Sequence, residues 1–171
     1  MLSKIELEKN LDRLLEWVRA SDQKASIFLA FQGIVLTIII SGYLKYYLQN
    51  MLNNHFVNIP CFAKIYFFIT FMIFAYSVWQ SVCSIMPKLK KNEKKSIIYF
   101  GDIKNYKLKD FINKTNEIDE EEYLKQLNEA AYHNALIVYE KYNTLRKAIW
   151  AFFVGSALTM FYLIYIFLFY Y

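Results

Sequence analysis

The stretch LEKNLDRLLEWVRASDQKASIFLAFQGIVLTIIIS (7–41) decides the fold, because it reads as one helix that changes solvent halfway along. It contains one glycine and no proline, so nothing in it forces a break. Up to Lys24 it is charged and amphipathic. Leu7, Leu11, Leu14 and Val18 recur every three or four residues and form one narrow apolar seam. From Ala25 to Leu44 there is no charge at all. Such a run of about 20 residues, rising roughly 1.5 Å each, spans a hydrocarbon core of roughly 30 Å. The hinge is Ser21-Asp22-Gln23-Lys24-Ala25-Ser26, where water gives way to lipid.

Composition agrees. Of the 171 residues, 57% are hydrophobic, above the roughly 45–50% apolar content of a soluble domain, and the charges avoid three long stretches. These features exclude an ordinary soluble enzyme domain and predict a membrane protein. A cleaved signal peptide is not expected. The charged part preceding the apolar run is a long helix-forming segment, and no small-residue cleavage site follows it. Cys61 and Cys83 lie at opposite ends of the second apolar segment, roughly 33 Å apart on a helix. They cannot pair with each other.

Three apolar segments follow in order: 25–44, 65–86 (stopped by Pro87) and 148–169. A short connection, 45–64, carries turn signals at Asn53-Asn54 and Pro60, beside the interfacial tyrosines Tyr43, Tyr46 and Tyr47. The one sizeable aqueous piece is 87–147. It opens on Lys88, Lys90, Lys91, Lys94 and Lys95, a cluster suited to anionic headgroups. Residues 96–106 are too irregular to assign. Asn116 is the expected N-cap of a helix whose start is rich in acids and whose seam runs from Leu124 to Leu145. No breaker separates that helix from the third apolar segment.

Residues 1–24 hold five Lys/Arg and 87–147 hold 13, against two in 45–64. The positive-inside rule therefore predicts a cytoplasmic N-terminus and an external C-terminus. The expected architecture is all-α, a single membrane domain over 1–171. Three spans are expected, the first and third continuous with a cytoplasmic helical stalk formed by 1–24 and 87–147.

Catalytic and metal motifs do not emerge. His55 and His133 fall on opposite sides of the membrane, and neither has ligands at metal spacing. HExxH, GxSxG and glycine-rich phosphate loops are missing. The acids at 117–122 lack calcium-loop spacing. Neither an enzyme nor a nucleic-acid-binding protein is expected.

Local features do stand out. Asp22 and Lys24 flank the end of the charged half, with Trp17 one to two turns earlier. Either Lys24 and Trp17 anchor the interface, or Asp22 makes an ionic contact at the mouth of the bundle. Gly101-Asp102 reads as a turn or cap, or as a functional pair. Gln32 is the strongly polar residue in the first span and Gln80 lies near the end of the second. Each is a candidate for interhelical bonding or for water entry. Small residues form two rows, Ser26/Ala30/Gly33/Thr37/Ser41 and Ala151/Gly155/Thr159, each suited to close helix packing.

Three of these segments carry a family resemblance. LDRLLEWVRASDQKASIFLAFQGIVL (11–36) resembles the opening of the Pycsar effector transmembrane family, with Trp17, Ser21, Asp22, Lys24, Ala25 and Ser26 at the matching positions. Serine stands at 21 where alanine is commoner. SIIYFGDI (96–103) is similar to the family's Phe-Gly-Asp-Ile segment, and YEKYNTLRKAI (139–149) to its helix before the last span. The resemblance implies an inner-membrane effector of bacterial abortive infection. A partner cyclase makes cyclic CMP or cyclic UMP, and the effector then impairs the membrane. It implies no pocket by itself. Residues 87–147 are too short for a cyclic-nucleotide β-barrel, so a nucleotide would be held by the helical stalk, within or between subunits. Arg13, Arg19 and lysines near Gly101 are available to a phosphate.

The expected assembly is a homo-oligomer in the lipid bilayer. The alternatives are a scaffold membrane protein and an accessory subunit of a membrane complex. Toxicity that depends on a cyclic-nucleotide source separates the effector from both.

Overall fold

The computed structural model describes residues 4–52, 61–87 and 96–170. Within them the chain forms α1 (Lys4–Leu52), α2 (Cys61–Ile85), α3 (Phe100–Ile103), α4 (Leu108–Glu117) and α5 (Glu120–Tyr170), with no strand among the described residues. Three of these helices, α1, α2 and α5, are long and apolar enough to cross a membrane. The protein is all-α and multi-pass. His55, the lysine cluster at 88–95 and the turn at 53–60 lie outside the described residues.

Contacts divide the chain into two units, one of Met1–Asp22 and Met86–Tyr142, the other of Gln23–Ile85 and Asn143–Tyr171. Both α1 and α5 contribute residues to each.

In the first unit the apolar seam is buried as its spacing requires. Leu7, Leu127 and Val138 are buried, and Leu11, Leu14 and Val18 are half-buried. Tyr123 Oη donates to Glu8 Oε1 at 3.3 Å, and Lys141 Nζ pairs with Asp22 Oδ1. Residue numbers rise together along both helices, so α1 and α5 run parallel here. Lys4 adds a cation over the Tyr123 ring, 5.0 Å from its centre.

The start of α5 differs from the expectation. Asn116 lies inside α4, and the long helix begins at Glu120. Asp119 is the cap: its Oδ1 accepts from the backbone N–H of Glu122 at 2.7 Å. Ile118 is extended (φ −67°, ψ 129°) and separates the two helices. The acidic run is thus shared between them, with Glu117 closing α4 and Glu120, Glu121 and Glu122 in the first turn of α5. Those three sit where the helix dipole favours negative charge.

In the second unit, the inward face of α2 carries Ala63, Thr70, Phe74, Ser77, Ser81 and Ser84. Its outward face carries Phe68, Ile69, Phe71, Met72 and Trp79, all exposed. Small and hydroxylated residues inside with large apolar ones outside is the pattern of a helix solvated by lipid. Tyr66 donates to the Leu158 carbonyl at 2.7 Å and stacks on Tyr162, while Ser77 donates to the Ala148 carbonyl. Residue order is reversed between the two helices, so α2 and α5 are antiparallel. Rings of Phe28, Phe31 and Phe74 converge on Phe152 at 5.6, 5.6 and 5.7 Å.

The two small-residue rows behave differently. Gly155 and Thr159 are buried, and a Cβ on Gly155 would lie 3.1 Å from the Phe74 ring. By contrast Ser26, Ala30, Gly33, Thr37 and Ser41 are all exposed, and nothing lies within 4 Å of a Cβ placed on Gly33. Rotation of α1 explains it. Burying the Gln32 amide, together with Ala25 and half of Phe28, turns Gly33 about 100° away.

Candidate functional site

Three polar clusters stand out against this apolar framework, two in the first unit and one in the second.

The first is the Asp22–Lys141 ion pair. Lys141 occupies the inward face of α5, three residues after Val138 and four before Leu145. A lysine there must be paired or be left charged in an apolar seam. Its side chain is 3% exposed, whereas that of Asp22 is 38% exposed. Asp22 is the last residue that α1 gives to this unit and Lys141 nearly the last that α5 gives. Trp17 and Lys24 are both exposed and stand outside this contact. Asp22 makes an ionic contact with Lys141. Lys141, with Tyr142, is the Lys-Tyr pair of the segment 139–149 that carries the family resemblance, and its seam position between Val138 and Leu145 is a second signal.

The second cluster is built on 96–103. Gln126, from α5, accepts through Oε1 from Ile97 N–H (3.0 Å) and Ser96 Oγ (3.1 Å). Asp102 Oδ2 accepts from Ser96 N–H at 3.2 Å, and Asp102 is buried. The segment is therefore strapped to α5 by one amide and closed on itself by one carboxylate. Gly101 has a distinct reason: a Cβ there would meet the Tyr99 ring at 2.5 Å, so any other residue must push that ring aside. Gly101 and Asp102 lie in α3, a single helical turn. Ser96 and Gln126 carry much of this arrangement, and nothing in their local sequence marks them.

Beneath the strap lies a cavity of about 260 Å³. Leu11 and Leu15 from α1, Ile98 and Tyr99 from the strap, and His133 and Ile137 from α5 line it. The Nδ1 of His133 is buried there without a hydrogen-bond partner. Among the described residues no cluster of His, Cys, Asp and Glu could hold a metal ion.

The third cluster lies in the second unit. Gln32 is completely buried. Its Nε2 donates to Ser77 Oγ at 2.6 Å, and its Oε1 accepts from Ser81 Oγ at 2.9 Å. Ser77 Oγ donates in turn to the Ala148 carbonyl at 2.7 Å. One amide, two hydroxyls and one carbonyl thus join α1, α2 and α5 without any charge. Gln80 is half-buried and Gly33 exposed; neither takes part. Gly155 packs against Phe74 instead.

Chemically, these clusters can hold helices in register, accommodate a small molecule and seal a bundle. Residues 6–169 match the family model of the Pycsar effector protein domain. No curated protein and no solved structure matches the chain.

Proposed function

The chain belongs to the Pycsar effector family, and from that premise we propose that it impairs the bacterial inner membrane when a cyclic pyrimidine nucleotide, cyclic CMP or cyclic UMP, binds its first unit. Family membership gives it a role in cyclic-nucleotide antiphage defence, acting with a partner cyclase and the lipid bilayer. The family is one of membrane effectors rather than of known enzymes. The finer steps are our reading.

One observation carries it. Each of α1 and α5 is a single unbroken helix, 49 and 51 residues long, that gives its first part to one unit and its last part to the other. Because both helices run unbroken from one unit into the other, we take a change in how α1 and α5 pack in the first unit to be carried along them. In the second unit the same two helices are held by the Gln32–Ser77–Ser81 cluster and by Phe152. Shifting them exposes a glutamine amide and serine hydroxyls, groups that water solvates readily. A leak opens along that polar line. The Asp22–Lys141 pair sets the resting register of the two helices.

The placing of the first unit in the cytoplasm rests on the charge distribution, 18 Lys/Arg in 1–24 and 87–147 against two in 45–64. The exposed row from Ser26 to Ser41 suits a second copy of the chain, and we take the active form to be a homo-oligomer. The test is dye leakage from liposomes holding the full-length protein, with cyclic CMP, cyclic UMP and cyclic AMP added separately. Leakage with a pyrimidine nucleotide and none with cyclic AMP is expected. Equal leakage with all three, or with none, refutes this reading.

A further inference from the structure

The 260 Å³ cavity under the strap has a chemistry of its own. Resting on the effector reading above, we propose that it is the nucleotide site, that it takes the cytosine base of cyclic CMP, and that the phosphate stays outside. Three observations lead there.

Size comes first. Small-molecule pockets commonly measure about 300–1,000 Å³, and this one lies just under that range. It admits one heterocycle with part of its sugar and excludes a dinucleotide.

Charge comes second. Among the described residues no lysine or arginine lines the cavity, and Glu129 does. An anionic phosphate drawn inside would face a carboxylate with no cation to offset it. The neighbouring groove carries Asp119, Glu121 and Glu122 together with Lys125, the one cation of that lining and so the group there that could meet a phosphate left outside the cavity.

The polar groups come third. His133 Nδ1 is buried and unpartnered, and the Asn134 amide and the Glu129 carboxylate lie on the same wall of α5. Facing them are Leu11 and Leu15 of α1 and the Tyr99 ring. Apolar walls with a row of hydrogen-bonding groups suit a flat base read along its edge. Cytosine presents an exocyclic amino group, for which a carboxylate is the natural acceptor. Uracil presents a carbonyl at that position and is disfavoured beside Glu129. A base lodged here touches α1, the strap and α5 at once, which links occupancy to the packing of the two long helices.

The test is calorimetric titration of the full-length protein in nanodiscs with cyclic CMP, cyclic UMP and the uncharged nucleoside cytidine. Helical content is checked by circular dichroism, and liposome leakage is run in parallel. Cyclic CMP should bind at least about tenfold more tightly than cyclic UMP, the worth of one well-made hydrogen bond. Cytidine should compete for the same site. His133→Ala and Glu129→Ala should each weaken binding about tenfold, Glu129→Gln should recover part of the loss, and Ile137→Trp should abolish binding by filling the space. Variants that bind cyclic CMP like the wild type while leakage persists overturn the cavity and leave the effector reading intact. Binding that is lost in the variants, with no nucleotide-triggered leakage from the wild type, upholds the cavity and overturns the reading. Equal affinity for cyclic CMP and cyclic UMP overturns the base assignment.

Discussion

In the unit that contains Met1–Asp22, the buried polar contact between α1 and α5 is an ion pair, Lys141 against Asp22. In the unit that contains Gln23–Ile85 the buried polar contact of α1 is with α2 and is neutral, one glutamine amide closed by two serine hydroxyls, one of which donates on to α5. The contrast follows from what surrounds each. Asp22 is 38% exposed and shares its charge with solvent, so a buried lysine is tolerable beside it. In the unit of Gln32 the outward faces carry Ile27, Phe31, Ile34, Phe68 and Met72, all exposed and apolar, as suits a surface facing lipid. An unpaired charge there is far more costly than an amide. One unit therefore holds its helices by a contact that is expensive to break, and the other by one that is cheap. Under the proposed function that order is useful: firm register in the unit proposed to receive the signal, a weak seal in the unit proposed to open.

The largest effect should come from breaking the ion pair on one side only. Asp22→Asn takes a carboxylate away from the buried Lys141 ammonium and should destabilise the protein by up to about 3 kcal/mol, read as a lowered thermal midpoint in detergent. Adding Lys141→Met should recover most of the loss, because a buried apolar side chain needs no partner. If the double variant is no more stable than Asp22→Asn, the pair does not act as a unit.

Gly155→Leu comes next. It forces a side chain against the Phe74 ring, where even a Cβ would lie at 3.1 Å, and overpacking of this kind costs about 1–3 kcal/mol. Combined with Phe74→Ala the cost should shrink, and an unchanged cost would show that the contact is not what limits it. Gln32→Leu should matter less to stability. Interhelical hydrogen bonds in membranes average about 0.6 kcal/mol and reach about 1.7, and Ser81 already bonds its own helix through the Ser77 carbonyl. Leakage, however, should fall clearly, since the polar line is interrupted. A destabilisation as large as that of Asp22→Asn would erase the contrast between the two units.

The smallest effect concerns pH. Burial, and then the Glu8 carboxylate beside it, raise the Tyr123 phenol above its ordinary 10.0. The folded chain thus holds this proton more tightly than the unfolded chain. The resulting stabilisation is complete below pH 10.0 and is lost as pH rises through the raised value. Tyr123→Phe should remove that part of the alkaline loss, seen by comparing melts on either side of pH 10.0.

Much of the fold was legible because its signals are local and long. The uncharged run after Lys24 and the seam from Leu7 to Val18 repeat over many residues, so α1 could be read as one helix of two characters. The break near Asn116 was less legible: Asn116 and Asp119 are both good caps, and only the extended Ile118 decides between them. α4 has no buried residue and so leaves no core-facing pattern strong enough to mark it. The sites were harder still. Gln32 and Asp22 are polar residues in apolar surroundings and draw notice alone, but their partners Ser77, Ser81 and Lys141 lie 45, 49 and 119 positions away. The cavity depends on Gln126 fixing Ile97, a contact across 29 positions. The rotation that exposes Gly33 is likewise a consequence of burying Gln32, not of the small-residue row itself.

The central claim is that events in the first unit open the second through the long helices. Leu14 tests it well, because it is half-buried in the seam and does not line the cavity. Leu14→Glu should leave cyclic CMP binding within about threefold of wild type while liposome leakage in response to that nucleotide disappears. Binding retained with leakage undiminished would contradict the claim, since the seam between α1 and α5 would then have no part in carrying the signal.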